Sequence, residues 1–214
     1  MILRSMLRCA AMLVLALVLA PWPSPGQAHP HIFVDTTLRL VTDDGGQITG
    51  VEVVWTYDEL FSLLILEDMG LDSDYDGVLT PPELAQLQGF DMNWIEGYHG
   101  DLFASREGAD LTLGRPQPRR TEFEDGRITT VHFRTITAPG ATVTLRAYDP
   151  TFYTAYDLTG GVDAPEGCDV RINRPDLDAA YAAVEEKLEG MPPDPEDYPP
   201  VGDLFADTVM VTCG

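Results

Sequence analysis

Residues 72–83 read DSDYDGVLTPPE, a spacing of carboxylates that suits a hard divalent cation. Asp72, Asp74 and Asp76 fall at positions 1, 3 and 5 of a calcium loop, with Gly77 at position 6. Val78 offers its carbonyl at position 7, Thr80 ligates directly or through water, and Glu83 closes the loop at position 12. Gly77 permits the sharp turn, and Leu79 is the apolar residue that would anchor the loop to a core. Thr80 followed by Pro81 and Pro82 suits the first turn of a helix. Carboxylates gathered without a cation repel one another, which favours calcium over the alternative of a metal-free acidic loop. The loop resembles an EF-hand. Calcium sensors usually pair such hands and a single one is legible here, so the expected ion is structural.

A second group is His29-Pro30-His31, with Asp35 four residues further on. A leader cut after Ala28 would leave His29 first, so that its free amine and its ring chelate one ion and His31 adds a second imidazole. Pro30 has no amide hydrogen and blocks the binding mode that wraps an ion in deprotonated amides, leaving a brace-like arrangement. Amine and imidazole suit copper, zinc, nickel or cobalt. Asp35 shares a strand face with His31, and His99 or His132 would complete the shell only if folding brings them near. The alternative is a pair of ordinary polar residues at a loose terminus.

The elements that must position these groups follow a leader. Arg4 and Arg8 precede the apolar run CAAMLVLALVLA, and Gly26-Gln27-Ala28 offers small residues for cleavage. The run is shorter than the roughly 20 residues that span a bilayer. Residues 1–28 therefore read as a signal peptide and 29–214 as a single periplasmic domain, an uncleaved anchor being the alternative; no later segment reaches spanning length, so no stable membrane insertion is expected. The formal charge is −22, and removing two arginines with the leader makes it more negative. Nucleic acid and anionic membranes are poor partners for such a chain, whereas cations are good ones; solubility or salty surroundings would also account for the charge. Cys168 and Cys213 remain after the leader, and in an oxidising compartment a disulfide is the simplest reading, with free thiols or metal ligation as alternatives. Its expected job is to pin the last strand, which should come free on reduction.

Most of the body alternates with period two. IFVDTTLRL, QITGVEVVWTY, ADLTLG, TEFEDGRITTVHFRTI, ATVTLRAYD, CDVRI and DTVMVTC read as strands, with Asp125-Gly126 at a tight hairpin turn. The expected class is α+β, mainly β: an antiparallel sandwich or twisted sheet. Residues 58–100 form the helical EF-hand-like insertion, with helix expected over 58–97. PDLDAAYAAVEEKL, residues 175–188, reads as one amphipathic helix in the C-terminal half, and residues 191–200 as a proline- and acid-rich tether.

Taken together, HPHIFVD after the leader, VVWTYDELFS, the acidic loop, AYDPTFYTAY and FADTVMVTC resemble the bacterial periplasmic family catalogued as domain of unknown function 1007. The resemblance spans nearly the whole mature chain. It implies a periplasmic component of a transport system associated with nickel/cobalt-type permeases, and it carries over no catalytic residues. Three function classes follow: a metal-binding accessory protein of a transition-metal transporter, a copper enzyme with a histidine brace, and a calcium-stiffened adhesion or interaction module using the aromatics of TFYTAY. A non-enzyme is the favoured reading. Ser62, Ser73 and Ser105 are the serines after the leader, and none lies in the G-x-S-x-G setting of a serine hydrolase.

Overall fold

The computed structural model describes residues 30–191 and 199–214. The leader, His29 and most of the tether lie outside these residues. Strand β1 (Ile32–Thr42) buries Val34, Thr36, Leu38 and Leu40 and turns the intervening residues outward, which is the expected period-two alternation. It is followed by β2 (Ile48–Tyr57), helices α1 (Glu59–Met69) and α2 (Pro81–Leu87), and a 3-10 turn (Phe90–Met92). Next come β3 (Leu102–Arg106), β4 (Ala109–Leu111), β5 (Gln117–Glu124), β6 (Arg127–Gly140) and β7 (Thr142–Ala147). The chain continues through β8 (Thr154–Asp163), β9 (Cys168–Asn173), α3 (Leu177–Leu188), a second 3-10 turn (Gly202–Phe205) and β10 (Thr208–Cys213).

Two five-stranded sheets result, ordered β5-β6-β2-β1-β8 and β4-β3-β7-β10-β9. Their inner faces share one apolar core: Leu38, Val51, Val53, Trp55 and Ile128 from the first meet Leu102, Val143, Leu145, Val209 and Val211 from the second. The class is thus mainly β and sandwich-like, as its alternation predicts. Asp125 and Gly126 both take positive φ, 51° and 76°, and turn β5 directly into β6. One pairing departs from the antiparallel expectation: β8 runs parallel to β1, with Val34 opposite Tyr156 and Asp35 opposite Asp157.

The helical stretch is shorter than 58–97. Helix α1 starts where Asp58 accepts a hydrogen bond from Phe61 N at 2.9 Å, and the same carboxylate accepts Phe33 N at 2.8 Å, tying the helix start to β1. Buried Ser62 accepts Ile128 N at 2.9 Å and pins the helix to β6. Gly70, left-handed at φ 66°, ends the helix, with its own N–H and that of Leu71 returning to Leu66 O. Beyond Met92 the chain runs in turns to Asp101, because Gly97, Asp101 and Gly100 all take positive φ. Helix α3 is capped by Asp176, which accepts Ala179 N at 3.1 Å.

Cys168 and Cys213 are disulfide-bonded and directly opposite across the β9–β10 pair. Strand β10 lies inside its sheet between β7 and β9, so the element held from one side alone is β9. Replacing both cysteines with serine should lower stability by about 2–4 kcal/mol. Hydrogen exchange should then rise in β9 before β10, contrary to the expectation that the final strand comes free; exchange appearing first in β10 would contradict this order.

Candidate functional site

The acidic loop lies between the left-handed stop of α1 and the start of α2. Ligand oxygens of Asp72, Asp74 and Asp76 lie within 4.8 Å of one another, and among the described residues this is the group of three or more potential metal ligands. Backbone geometry builds the cluster. Asp72 Oδ1 accepts Asp76 N at 3.1 Å and Asp72 Oδ2 accepts Gly77 N at 3.3 Å, folding the loop over the first carboxylate. Asp72, Tyr75 and Gly77 have φ of 51°, 55° and 75°, the last in the position that only glycine fills without strain. Glu83 closes the loop through its backbone: Oε1 accepts Asp72 N at 3.1 Å, while Oε2 accepts Thr80 N at 2.8 Å and Thr80 Oγ1 at 2.6 Å. The Thr80 hydroxyl first, then the Thr80 and Asp72 amides, hold the Glu83 carboxyl below its ordinary pKa. Val78 is exposed beside the cluster.

The donor set is all oxygen and suits calcium. Two features set the loop apart from a helix that feeds straight into its ligands: Gly70 and Leu71 separate α1 from Asp72, and Glu83 and Thr80 face each other in a capping box.

His31 packs its ring against Tyr153, with centroids 4.8 Å apart, beside the first residue of β1. Asp35 is already engaged: Arg127 Nη2 lies 2.8 Å from Oδ2, and Thr159 donates to Oδ1 at 2.7 Å. Partial burial raises its pKa, but the bonds from Thr159 and Arg127 outweigh that and keep the carboxyl below its ordinary value. His99 packs on Phe103. His132 is fully buried with Trp55 and Trp94 edge-on to its ring, so it belongs to the core. The structure therefore gathers Asp72, Asp74 and Asp76 and places His31, His99 and His132 in three separate aromatic contacts.

The sequence reading missed a buried polar centre built by the turns after α2. Asp91 Oδ2 accepts Tyr57 Oη at 2.8 Å and Thr130 Oγ1 at 2.7 Å. Asp101 Oδ2 accepts Tyr98 Oη at 2.7 Å and Tyr156 Oη at 2.9 Å. Arg134, 3% exposed, donates to the carbonyls of Gly114, His99 and Leu113 and lies 4.6 Å over the Trp94 ring. Burial sets the electrostatics. It lifts Asp91 above its ordinary pKa, against the bonds from Thr130 and Tyr57, and lifts Asp101 to about 6, against those from Tyr98 and Tyr156. Burial, then the Arg134 charge, lowers His132 to about 3, and burial lowers Arg134 to about 10. The legible signal was the spacing of acids and aromatics in Asp91, Trp94, Tyr98 and Asp101. Their polar ends meet partners from β2, β6 and β8, which no local pattern reveals.

Asp101 is thus able to take up or release a proton near neutrality. Because its folded pKa lies above the 3.8 of an ordinary aspartate, the folded state binds the proton more tightly, and this group's contribution to stability rises as pH falls from 7 towards 4. Carboxyl NMR should show half-protonation of Asp101 near pH 6. Tyr98→Phe should move it upward, since a bond to the ionised form is lost. A titration near 4 in the parent would contradict the assignment.

The family described as Protein of unknown function (DUF1007) matches residues 14–213. A Haemophilus influenzae protein described as an uncharacterized protein is 24% identical over 197 residues, covering 87% of this chain and 91% of that one. Among solved structures, an acetylcholine-binding protein type 1 of Biomphalaria glabrata aligns with 91% of this chain and 90% of its own at 12% identity and a TM-score of 0.33. One from Bulinus truncatus covers 95% and 96% of the two chains at 11% identity and a TM-score of 0.30. The match over residues 14–213 places the chain in the DUF1007 family.

Proposed function

We propose that the protein is a periplasmic metal-binding accessory of a transition-metal transport system, stabilised by one structural calcium ion. The observation that carries the cation-binding part is the convergence of Asp72, Asp74 and Asp76 within 4.8 Å on a loop folded by its own carboxylates. Asp72, Asp74, Asp76, the Val78 carbonyl, Thr80 and Glu83 would hold the ion, Glu83 by turning from its capping bonds. Calcium would neutralise the cluster and join α1 to α2. The transition-metal part rests on His29 and His31 in the sequence, His31 lying beside the start of β1, and on the family resemblance to components of nickel/cobalt-type permease systems. Asp35 would have to release Arg127 and Thr159 to ligate, so the two histidines and the amine are the proposed donors. No helix among the described residues is long and apolar enough to cross a membrane, which suits a partner of a permease rather than a permease.

A second reading, a calcium-stiffened interaction module, is favoured by the face of α1. Leu60, Leu63 and Leu64, at helical spacing, are 64%, 46% and 52% exposed. A histidine-brace copper enzyme would use the same terminal histidine and consume oxygen and reductant once loaded.

Calcium should bind with a Kd of about 10⁻⁵ to 10⁻³ M, as extracellular sites do. It should raise the melting temperature of the parent, and Asp72→Ala with Glu83→Ala should abolish that increase. Melting that is identical in calcium and in chelator, for parent and double variant alike, would end the structural-calcium reading.

Adding one residue before His29 should weaken copper, nickel or zinc binding far more than it lowers stability, and His31→Ala should weaken it too. Binding by the native terminus should also fall off below about pH 6 as the imidazoles protonate. Equal affinity in the extended and native proteins would reduce the pair to ordinary polar residues.

A further inference from the structure

A cleft of about 170 Å³ opens where α3 and the second 3-10 turn cross the ends of β1, β7 and β8. It is smaller than the roughly 300–1,000 Å³ of pockets for drug-sized ligands, which limits an occupant to a few heavy atoms. The rings of Phe33, Phe152, Tyr181 and Phe205 line it together with Asp157, and no lysine or arginine is among the lining residues.

The wall is held in place at some cost. Phe152 takes φ 61°, a left-handed conformation uncommon for a bulky residue. What it gains is a stack on Phe205, with centroids 3.8 Å apart and planes 6° from parallel, and Tyr181 meets Phe205 edge-on at 5.0 Å. Val201 N and Gly202 N both donate to Pro150 O, clamping the 3-10 turn against the Phe152 turn. The approach is so close that a Cβ on Gly202 would lie 1.7 Å from Asp149 O.

Asp157 is the charged group of the lining, and among the described residues its carboxylate has no hydrogen-bond donor. Arg174, the cation that acts on it, is bonded to Asp207, and Asp35 across the parallel pair adds a like charge. Burial first and Asp35 second push its carboxyl above the ordinary range. Arg146 donates to Asp203 O and lies over the Tyr148 ring, outside the lining.

Aromatic rings around a carboxylate without a paired cation form a receptor for organic cations, through ring quadrupoles and direct charge. We propose that this cleft binds a small organic ammonium ion, with Asp157 as its counter-ion and the Phe33, Phe152, Tyr181 and Phe205 rings as its cage. The complementarity extends to the whole molecule, whose formal charge is −22. The site is separate from the acidic loop but adjoins the terminal histidines, since Pro30 and Phe33 of its lining flank His31.

The test uses choline and dimethylbutanol, its uncharged carbon isostere, titrated into the exported protein by NMR. Choline should bind saturably, about tenfold more tightly than the isostere. Asp157→Asn and Tyr181→Leu should each weaken choline severalfold while leaving far-UV circular dichroism unchanged, and Phe205→Leu serves if one of them misfolds. Absence of saturable binding, equal affinity for the isostere, or indifference to Asp157→Asn would overturn the proposal. Pro30 also lines the cleft, so in a chain cut after Ala28 the amine of residue 29 would be a competing occupant. If choline binds only after that amine is acetylated, the cleft holds the chain's own terminus and the proposal fails.

Discussion

A carboxylate removed from water must find donors inside the protein, and Asp91 and Asp101 find them on strands far away in sequence. Tyr57 on β2 and Thr130 on β6 hold the first, and Tyr156 on β8 with Tyr98 holds the second. These bonds fasten the excursion between β2 and β3 to the β5-β6-β2-β1-β8 sheet. Hydroxyls left facing the interior without an acceptor would each cost about 1–3 kcal/mol, so tyrosines and aspartates constrain one another mutually. The acidic loop inherits its position from this arrangement. Asp58 and Ser62 fix the helix that enters it, and Asp91 fixes the chain soon after the helix that leaves it.

The two sheets were legible because each strand has a wet side and a dry side. In β1 the dry side is Val34, Thr36, Leu38 and Leu40, and hydrophobic alternation reports that directly. The clustering of Asp72, Asp74 and Asp76 was legible because the three lie within five residues of one loop. Two things were hidden. Residues 154–163 carry two glycines and several polar residues on an edge strand, and their parallel pairing with β1 depends on a crossover that no local signal encodes. Residues 93–97 were expected to be helical, but the helix ends at Leu87, Gly89 and Gly97 take φ of 73° and 86°, and Gly100 at 67° lets Trp94 close against its backbone. The partners of Asp91 and Asp101 were invisible for the same reason as the crossover: they come from strands brought together by tertiary packing.

Cations are scarce in this chain, and several arginines serve backbone carbonyls. Arg134 serves three backbone carbonyls, Arg106 serves those of Thr142 and Ala138, and Arg127 serves those of Tyr57 and Thr56 as well as Asp35. A guanidinium with its fork of donors can satisfy several buried acceptors at once, which an ammonium does less well. Acidic residues outnumber lysines and arginines by 35 to 13 over the chain. The long-range field is therefore negative, and it draws in small cations whichever site they finally occupy.

Strand β10 occupies the interior of its sheet, between β7 and β9. A growing polypeptide cannot close that sheet until residues 208–213 have been made, however early the other strands emerge. Until then β7 and β9 each present an unpaired edge to their surroundings, an invitation to pair with the wrong chain. A sheet completed from its middle by its latest strand stays open through synthesis, although the β5-β6-β2-β1-β8 sheet needs no residue beyond 163. It then closes in one late step, when β10 enters between β7 and β9.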